Sequence, residues 1–531
     1  MIAFAALTGP LPKAGVAVLG VLLAVVLLAA DRRVRALAML VALLLSPVLL
    51  LTDIWSSPQL GTVHRHPLEA VVAAVVALGL LVAAAAFLLR RPRLVAPLAV
   101  LALPFRVPIQ SGATTSNLLV PLYFVVAAGT LAWIWTTLRD GSAAAPGRRG
   151  RSLSWSAFAG ERDLGVWVQR LLALYIVLYG IQGTYAPPVG GRDIALQNMV
   201  FFYAPFALLY QLLRGLKWDR ELIVDCLRVT VVLALVFSVI GFYEYATKTI
   251  IFNPKLVVAN DLHTYFTVNS VFFDPDIFGR YLALVMILLA VTLIYRRPAR
   301  EQATTTIVLA VLWACLVLTL SRSSLGALLV GLAVLAALRW KPSRAVIVAV
   351  LVIAFGAVVV VASPTTFGLN QGLNGASSGR GGLVSGGLSL FGNRPVWGYG
   401  SGSFSTEYRA HNRHSVTALS DSHTIPITVA AEQGVLGELA YLAFVIAAIV
   451  YLVRRSRGDP VRSAVAAAFI ALVFHTFLYA DFLEDPTTWV LLGIGAALAG
   501  ARPSAGDPVP VAGLSRTLTA ADAARTGPAA S

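Results

Sequence analysis

Apolar runs separated by short basic interruptions dominate the chain from end to end. Val16–Ala30, Ala70–Leu89 and Val346–Val361 are almost uninterrupted apolar sequence. A helix crosses the hydrocarbon core of a bilayer with about 20 such residues, or ~17 at the short end. Hydropathy places spans near 14–30, 36–52, 67–89, 94–109, 117–138, 167–184, 196–214, 225–245, 277–295, 305–320, 324–338, 345–362, 427–451, 463–480 and 488–500. The spans at 94–109 and 488–500 are the shortest fits to that length. The expected fold is an all-α polytopic integral membrane helical bundle of about 12–15 transmembrane helices, with one large outward-facing loop. No small-residue cleavage site follows the first run, so it reads as a retained helix and not as a removed signal.

Composition excludes a soluble multidomain chain. Of 531 residues, 58% are hydrophobic and 12% charged, and mean hydropathy is +0.80. A net charge of +16 would raise nucleic acid as a partner of a soluble protein. Here the basic residues sit between spans, where they fix orientation in the membrane, so the expected partner is the lipid bilayer and no nucleic acid. One alternating set of connections (31–35, 90–93, 139–165, 214–220, 296–300, 339–344, 454–462) and the tail hold 27 of the 41 Lys and Arg. By the positive-inside rule that set is cytoplasmic. The N-terminus then faces out, the tail faces in, and the chain is a multi-pass protein of the cytoplasmic membrane. Cys226 and Cys315 lie within apolar segments, at a spacing that suits neither a metal site nor a disulfide framework.

The same pattern divides the chain. Residues 1–138 are N-terminal transmembrane helices, 139–165 a flexible Gly/Ser/Ala/Arg-rich cytoplasmic linker, and 166–362 a transmembrane core. Residues 363–426 form a large extracytoplasmic loop, glycine-rich at first and then aromatic enough to fold onto the membrane surface. Residues 427–501 are C-terminal transmembrane helices, and 502–531, rich in Ala, Pro, Ser and Thr, a disordered cytoplasmic tail.

Three polar residues stand out against this apolar background: Arg280 in DPDIFGRYLAL, Arg322 in LTLSRSSLGAL and His423 in DSHTIPITVAAEQGVLGE. The orientation places all three independently at the outer membrane boundary. Ionisable groups at a bilayer are costly and mark functional sites by default. Each also has a plainer reading. An arginine at a membrane edge snorkels to headgroups, and a histidine before a helix is a cap or surface residue. Arg322 resists the plainer reading, because Ser321, Ser323 and Ser324 crowd it into a tight turn between two apolar helices. Around His423, Ser422 is placed to cap the following helix and Pro426 suits its first turn. The positive end of that helix disfavours imidazolium and leaves a base near neutral pH. His411 and His414 lie nearby, without Cys or carboxylates at metal-ligand spacing. Glu432, nine residues beyond His423, reads as structural.

The segments SRSSLGALLVG (321–331), NRPVWGYGSGSF (393–404) and SHTIPITVAAEQGVLGELAYL (422–442) together resemble the O-antigen ligase and O-antigen polymerase family of membrane glycosyltransferases. In that family a histidine ends the outward loop and a Gly–x–x–Gly follows eleven residues later. Here these are His423, Gly434 and Gly437, with Thr424 where the family usually has Asn, Ser or Gln. Arg280 with Leu284 resembles the family's Arg–x3–Leu element. The likeness covers about 270–500.

The resemblance implies transfer of a glycan from a polyprenyl-pyrophosphate carrier to an acceptor hydroxyl on a glycan or lipid, at the outward leaflet. It implies His423 as the catalytic base and Arg280 and Arg322 as substrate-binding residues on the pyrophosphate. It implies no cofactor and no metal, since the leaving group is already activated. Ligase and polymerase share these motifs, so the two remain alternatives. A membrane transporter or lipid-linked glycan flippase is the competing class. It would place charges near the bilayer midplane and show paired repeats, whereas the polar residues here gather at one face.

Overall fold

The computed structural model describes residues 10–55, 61–111, 114–140, 163–187, 193–251, 257, 260, 266–295, 298–340, 343, 347, 380–411, 422, 424–454 and 456–500. Twelve helices among them are long and apolar enough to cross a membrane, and two shorter apolar helices accompany them. In chain order they are α1 (Pro10–Leu28), α2 (Arg32–Ile54), α3 (Pro67–Arg90), the short α4 (Val95–Ala102), α5 (Val120–Asp140) and α6 (Leu164–Gly183). Then come α7 (Ile194–Gly215, with a π turn over Met199–Tyr203), α8 (Arg220–Thr247), α9 (Pro275–Ile294), α10 (Ala299–Leu318) and α11 (Arg322–Arg339). Helices α12 (Arg380–Asn393) and α13 (Phe404–His411) precede α14 (Ile425–Val453), α15 (Pro460–Leu478) and α16 (Pro486–Gly500). The protein is an all-α, multi-pass membrane bundle. The span expected at 345–362, the glycine-rich start of the loop, most of the linker and the tail lie outside the described residues.

One stretch departs from the expected reading. The span drawn at 94–109 is helical only to Ala102, and Val107–Ser111 pairs antiparallel with Thr114–Leu118 as a small hairpin. Pro104 stops the helix, and the polar run that follows favours strands over a membrane helix.

Helix starts are written locally. Asp31, Asp163, Asp193, Asp219, Asp274, Ser321 and Asp459 each accept a backbone N–H of the following turn through the side chain. At α9 and α15 a proline follows the capping Asp at the first helical position, where its missing donor costs nothing.

Side-chain contacts tie distant segments together at both ends of the helices. At the arginine-poor end, Lys13 Nζ donates to the Ala186 carbonyl (2.8 Å) and Tyr479 Oη to Asp274 Oδ2 (2.9 Å). At the arginine-rich end, Arg214 Nη1 donates to Gln169 Oε1 (2.6 Å), Gln211 Nε2 to the Val26 carbonyl (2.9 Å), and Arg93 pairs with Asp219.

Helix α14 is broken where the loop meets it. Gly434 has φ 65° and ψ −165°, outside any helix. The break frees the carbonyls of Ala431 and Glu432 and the N–H of Val435, and the loop satisfies all three. Tyr399 N donates to Ala431 O (3.3 Å), Gly400 N to Glu432 O (2.7 Å), and Val435 N to Pro395 O (2.7 Å). A Cβ on Gly434 would lie 2.3 Å from the Val396 carbonyl oxygen, and one on Gly398 2.2 Å from the Glu432 oxygen. Irregular backbone of this kind survives in a membrane protein only where protein groups repair it.

Candidate active site at the arginine-poor end

The site grows from the start of α9. Asp274 caps the helix through the Asp276 N–H (2.7 Å) and accepts from Tyr479 Oη on the connection between α15 and α16. Burial pushes the Asp274 carboxyl above its ordinary range, and the neighbouring Asp276 adds to that shift. Burial likewise raises the Tyr479 phenol, followed by the charges of Asp274 and Asp481, so Tyr479 keeps its proton and acts as donor.

Asp276 fastens the turn between α10 and α11. Its Oδ1 accepts from Ser321 Oγ (2.5 Å) and Ser323 Oγ (3.1 Å). His475, fully buried on α15, places Nε2 3.2 Å from both Ser323 Oγ and Ser324 Oγ. Gly279 admits this turn: a Cβ there would lie 2.7 Å from Ser324 Oγ. Arg322 opens α11 from the middle of this serine cluster and is exposed.

Arg280 lies one helical turn beyond Asp276 and is only 2% exposed. Its Nη2 is 2.7 Å from Asp485 Oδ2, and the guanidinium sits 5.9 Å from the Tyr479 ring centre. Asp485 also caps α16 by accepting from Thr487 N (2.7 Å). The ion contact balances charge without satisfying direction: among the described residues, neither Nη1 nor Nη2 meets an acceptor in hydrogen-bond geometry. Arg280 is therefore not a snorkelling anchor. It is a buried, counter-charged guanidinium with donors to spare, and it lines a small cleft with Arg106, Tyr281 and Thr487.

The neighbouring Glu484 turns to the other side. Asn198 Nδ2 donates to Glu484 Oε1 and to Tyr179 Oη (2.9 Å each). Tyr175, Tyr203 and Glu432 line the same cavity, which is closed by Ile425 and Thr428 at the start of α14. His423 itself lies outside the described residues. Its neighbour Ser422 is buried and bonds Thr428 Oγ1 (2.8 Å), whereas Thr424 occupies the cap position of α14 without a side-chain cap bond. Ser422 thus braces the chain before α14 and does not cap it. Glu432 is an anchor: its carboxylate accepts from Gly402 N (2.8 Å) and Phe404 N (2.9 Å). His411 bonds back onto its own helix through the Glu407 carbonyl (2.8 Å).

The Asp481–Asp485 turn therefore joins the Arg280 cleft to the cavity at the start of α14, and Asp276 joins Arg280 to the turn bearing Arg322. Sequence reading missed His475, Tyr479, Glu484 and Asp485. The available signal was the density of ionisable groups in HTFLYADFLEDP, between two apolar spans.

Fold and site define a multi-pass helical membrane protein with a cluster of buried, hydrogen-bonded polar side chains around Arg280, Asp276, His475 and Asp485. Residues 306–442 match the model of the O-antigen ligase family (Wzy_C), so this segment of the chain is similar to that family. The matched segment runs from α10 into α14 and contains Arg322, His423, Gly434 and Gly437. Among curated proteins, none matches the chain.

Proposed function

We propose that the protein transfers a glycan from a polyprenyl-pyrophosphate carrier to an acceptor hydroxyl, at the extracytoplasmic side of the cytoplasmic membrane. The observation that carries this reading is the buried Arg280, whose unmatched Nη donors face a cleft next to the turn bearing Arg322. A buried cation with open donors suits a phosphate group, which a guanidinium binds through a planar fork. The O-antigen ligase match and the position of the basic connections at the opposite end support the chemistry and the side of the membrane.

In this mechanism Arg280 and Arg322 hold the pyrophosphate. His423 takes the proton of the acceptor hydroxyl as its oxygen attacks the anomeric carbon. The new glycosidic C–O bond forms while the bond from the anomeric carbon to the phosphate oxygen breaks. Polyprenyl pyrophosphate departs with that electron pair, its added charge stabilised by the arginines. The leaving group carries its own activation, so the mechanism invokes neither a metal nor a nucleotide. Asp485 and Tyr479 position Arg280, and Glu432 holds the 395–404 segment against α14.

The test uses purified protein in nanodiscs with a polyprenyl-pyrophosphate glycan and a panel of glycan and lipid acceptors. Transfer by the wild type, with loss in Arg280→Ala, Arg322→Ala and His423→Ala, is expected. Undiminished transfer in all three variants overturns the site. Movement of the lipid between leaflets without any transfer makes the protein a flippase instead.

A further inference from the structure

A cavity of about 580 Å³ opens where α6 and α8 begin and α7, α14 and α16 end, a size suited to a small ligand. It is remote from the candidate active site: along α7, its Arg214 lies about 24 Å of helix beyond Asn198. Every residue lining it falls outside the segment matched to the ligase family. Gln169, Arg214, Lys217, Trp218 and Tyr451 form much of its wall, with the acids Asp163 and Asp219. Both acids are already committed. Asp163 accepts from Gly165 N (2.9 Å), and Asp219 accepts from Leu222 N (3.0 Å) and pairs with Arg93. The cations are not matched in this way. Half-buried Arg214 donates Nη1 to a neutral acceptor, Gln169 Oε1 (2.6 Å). Arg35 donates Nη2 to the Ala29 carbonyl, and its Nε is buried with no acceptor among the described residues. The charges that bear on Arg35 are those of Arg214 and Arg32, both of its own sign. Among the described residues, no carboxylate pairs with Arg35 or Arg214. Like charges held together half out of water repel strongly, and an anion between them and the solvent relieves that repulsion.

We propose that this cavity binds a phosphate ester, seated on Arg214 and Lys217. The guanidinium offers a planar fork to two phosphate oxygens, and the ammonium adds a point charge beside it. Arg35 strengthens the positive potential from behind Arg214. The aromatic and apolar part of the wall, with Trp218, Tyr451, Val166 and Leu216, suits the organic portion of an ester better than a bare phosphate ion. The connections around the cavity, 31–35, 214–220 and 454–462, belong to the basic set, and basic clusters at the ends of membrane helices attract anionic headgroups. A phospholipid headgroup and a soluble phosphate ester present the same group to these residues. The inference does not rest on glycan transfer.

The experiment uses delipidated full-length protein and native mass spectrometry. The probes are phosphatidylglycerol, phosphatidylcholine and, as the soluble ester, glycerol 3-phosphate. Preferential retention of phosphatidylglycerol over phosphatidylcholine is expected in the wild type. Arg214→Met and Lys217→Met should each lower that preference about fivefold, and the double variant about 25-fold. Arg214→Lys should keep part of it. Arg300→Met removes an exposed cation from another basic connection and should leave the preference unchanged. Binding of glycerol 3-phosphate that depends on Arg214 supports the site in either case. Its displacement by phosphatidylglycerol identifies the lipid as the source, and its persistence identifies a soluble ester. Lys217 is exposed, so Lys217→Met serves if the Arg214 variants do not fold, with thermal inactivation as the folding control. Equal lipid preference in the wild type and the double variant, with no binding of glycerol 3-phosphate, overturns the inference. So does an Arg300→Met variant that loses as much preference as Arg214→Met, since the contact is then with the basic surface at large. Neither result bears on the proposed function, which is read by transfer alone.

Discussion

Replacing Asp485 with Asn tests how the bundle tolerates a guanidinium at 2% exposure. The Asn oxygen keeps the acceptor for Thr487 N, now held at 2.7 Å, so the start of α16 is preserved and only the counter-charge of Arg280 is lost. Breaking a buried ion pair by removing one partner costs about 3–5 kcal/mol, because the other charge is left uncompensated. The Nη donors of Arg280 already lack acceptors in hydrogen-bond geometry, so the pair starts from imperfect satisfaction and the lower end, about 3 kcal/mol, is expected. Removing both charges in Arg280→Met/Asp485→Asn should restore stability to within about 1 kcal/mol of wild type, since apolar replacement of a buried pair is close to neutral. Transfer should stay lost in the double variant, because the phosphate contact is gone. Steric trapping or thermal inactivation in a single detergent reads stability, and a glycan-transfer assay reads function. If Asp485→Asn costs under 1 kcal/mol, or the double variant is no more stable than the single, Arg280 is not a buried charge that depends on Asp485.

The other expectations concern the loop, the acid cluster and metals. Gly434→Ala places a Cβ 2.3 Å from the Val396 oxygen at φ 65°; it should cost at least about 2 kcal/mol and abolish transfer, and a wild-type melting curve would refute the backbone account. The raised carboxyl of Asp274 binds its proton more tightly folded than unfolded, so its stabilising contribution is present in acid and lost as pH rises through the folded value. Asp274→Asn should therefore shrink the stability difference between about pH 4 and pH 8, and an unchanged difference would remove Asp274 from the account. Chelation with excess EDTA should leave the transfer rate unaltered, and a loss restored by added divalent cation would contradict the metal-free mechanism.

Most of the spans were legible because apolar runs are properties of short windows. The serine turn at 321–324 and the DPD start of α9 were equally visible, since Ser321 and Asp274 act on residues two or three positions away. What stayed hidden depends on packing between distant segments. An acidic run such as DFLED reads as a surface turn, and only the docking of α15 and α16 against α9 buries Asp485 beside Arg280. His475 sits in an apolar helix with no local signal that Ser323 and Ser324 would meet it. The break at Gly434 falls within a run that hydropathy treats as one continuous helix, because its cause lies 36 or more residues upstream in the segment 395–398. The hairpin at 107–118 was obscured by the apolar residues before it.

That break has a consequence for assembly. Until residues 395–400 are in place, the carbonyls of Ala431 and Glu432 and the N–H of Val435 have no partners, and hydrocarbon offers none. The N-terminal turns of α14 therefore become stable only together with the loop, so helix completion and loop docking are one cooperative event. The chain order suits this, because residues 395–400 precede α14 and are made before it. A lesion in the loop would then surface as a helix that fails to finish, detectable as protease sensitivity near Ile425 and not within the loop alone.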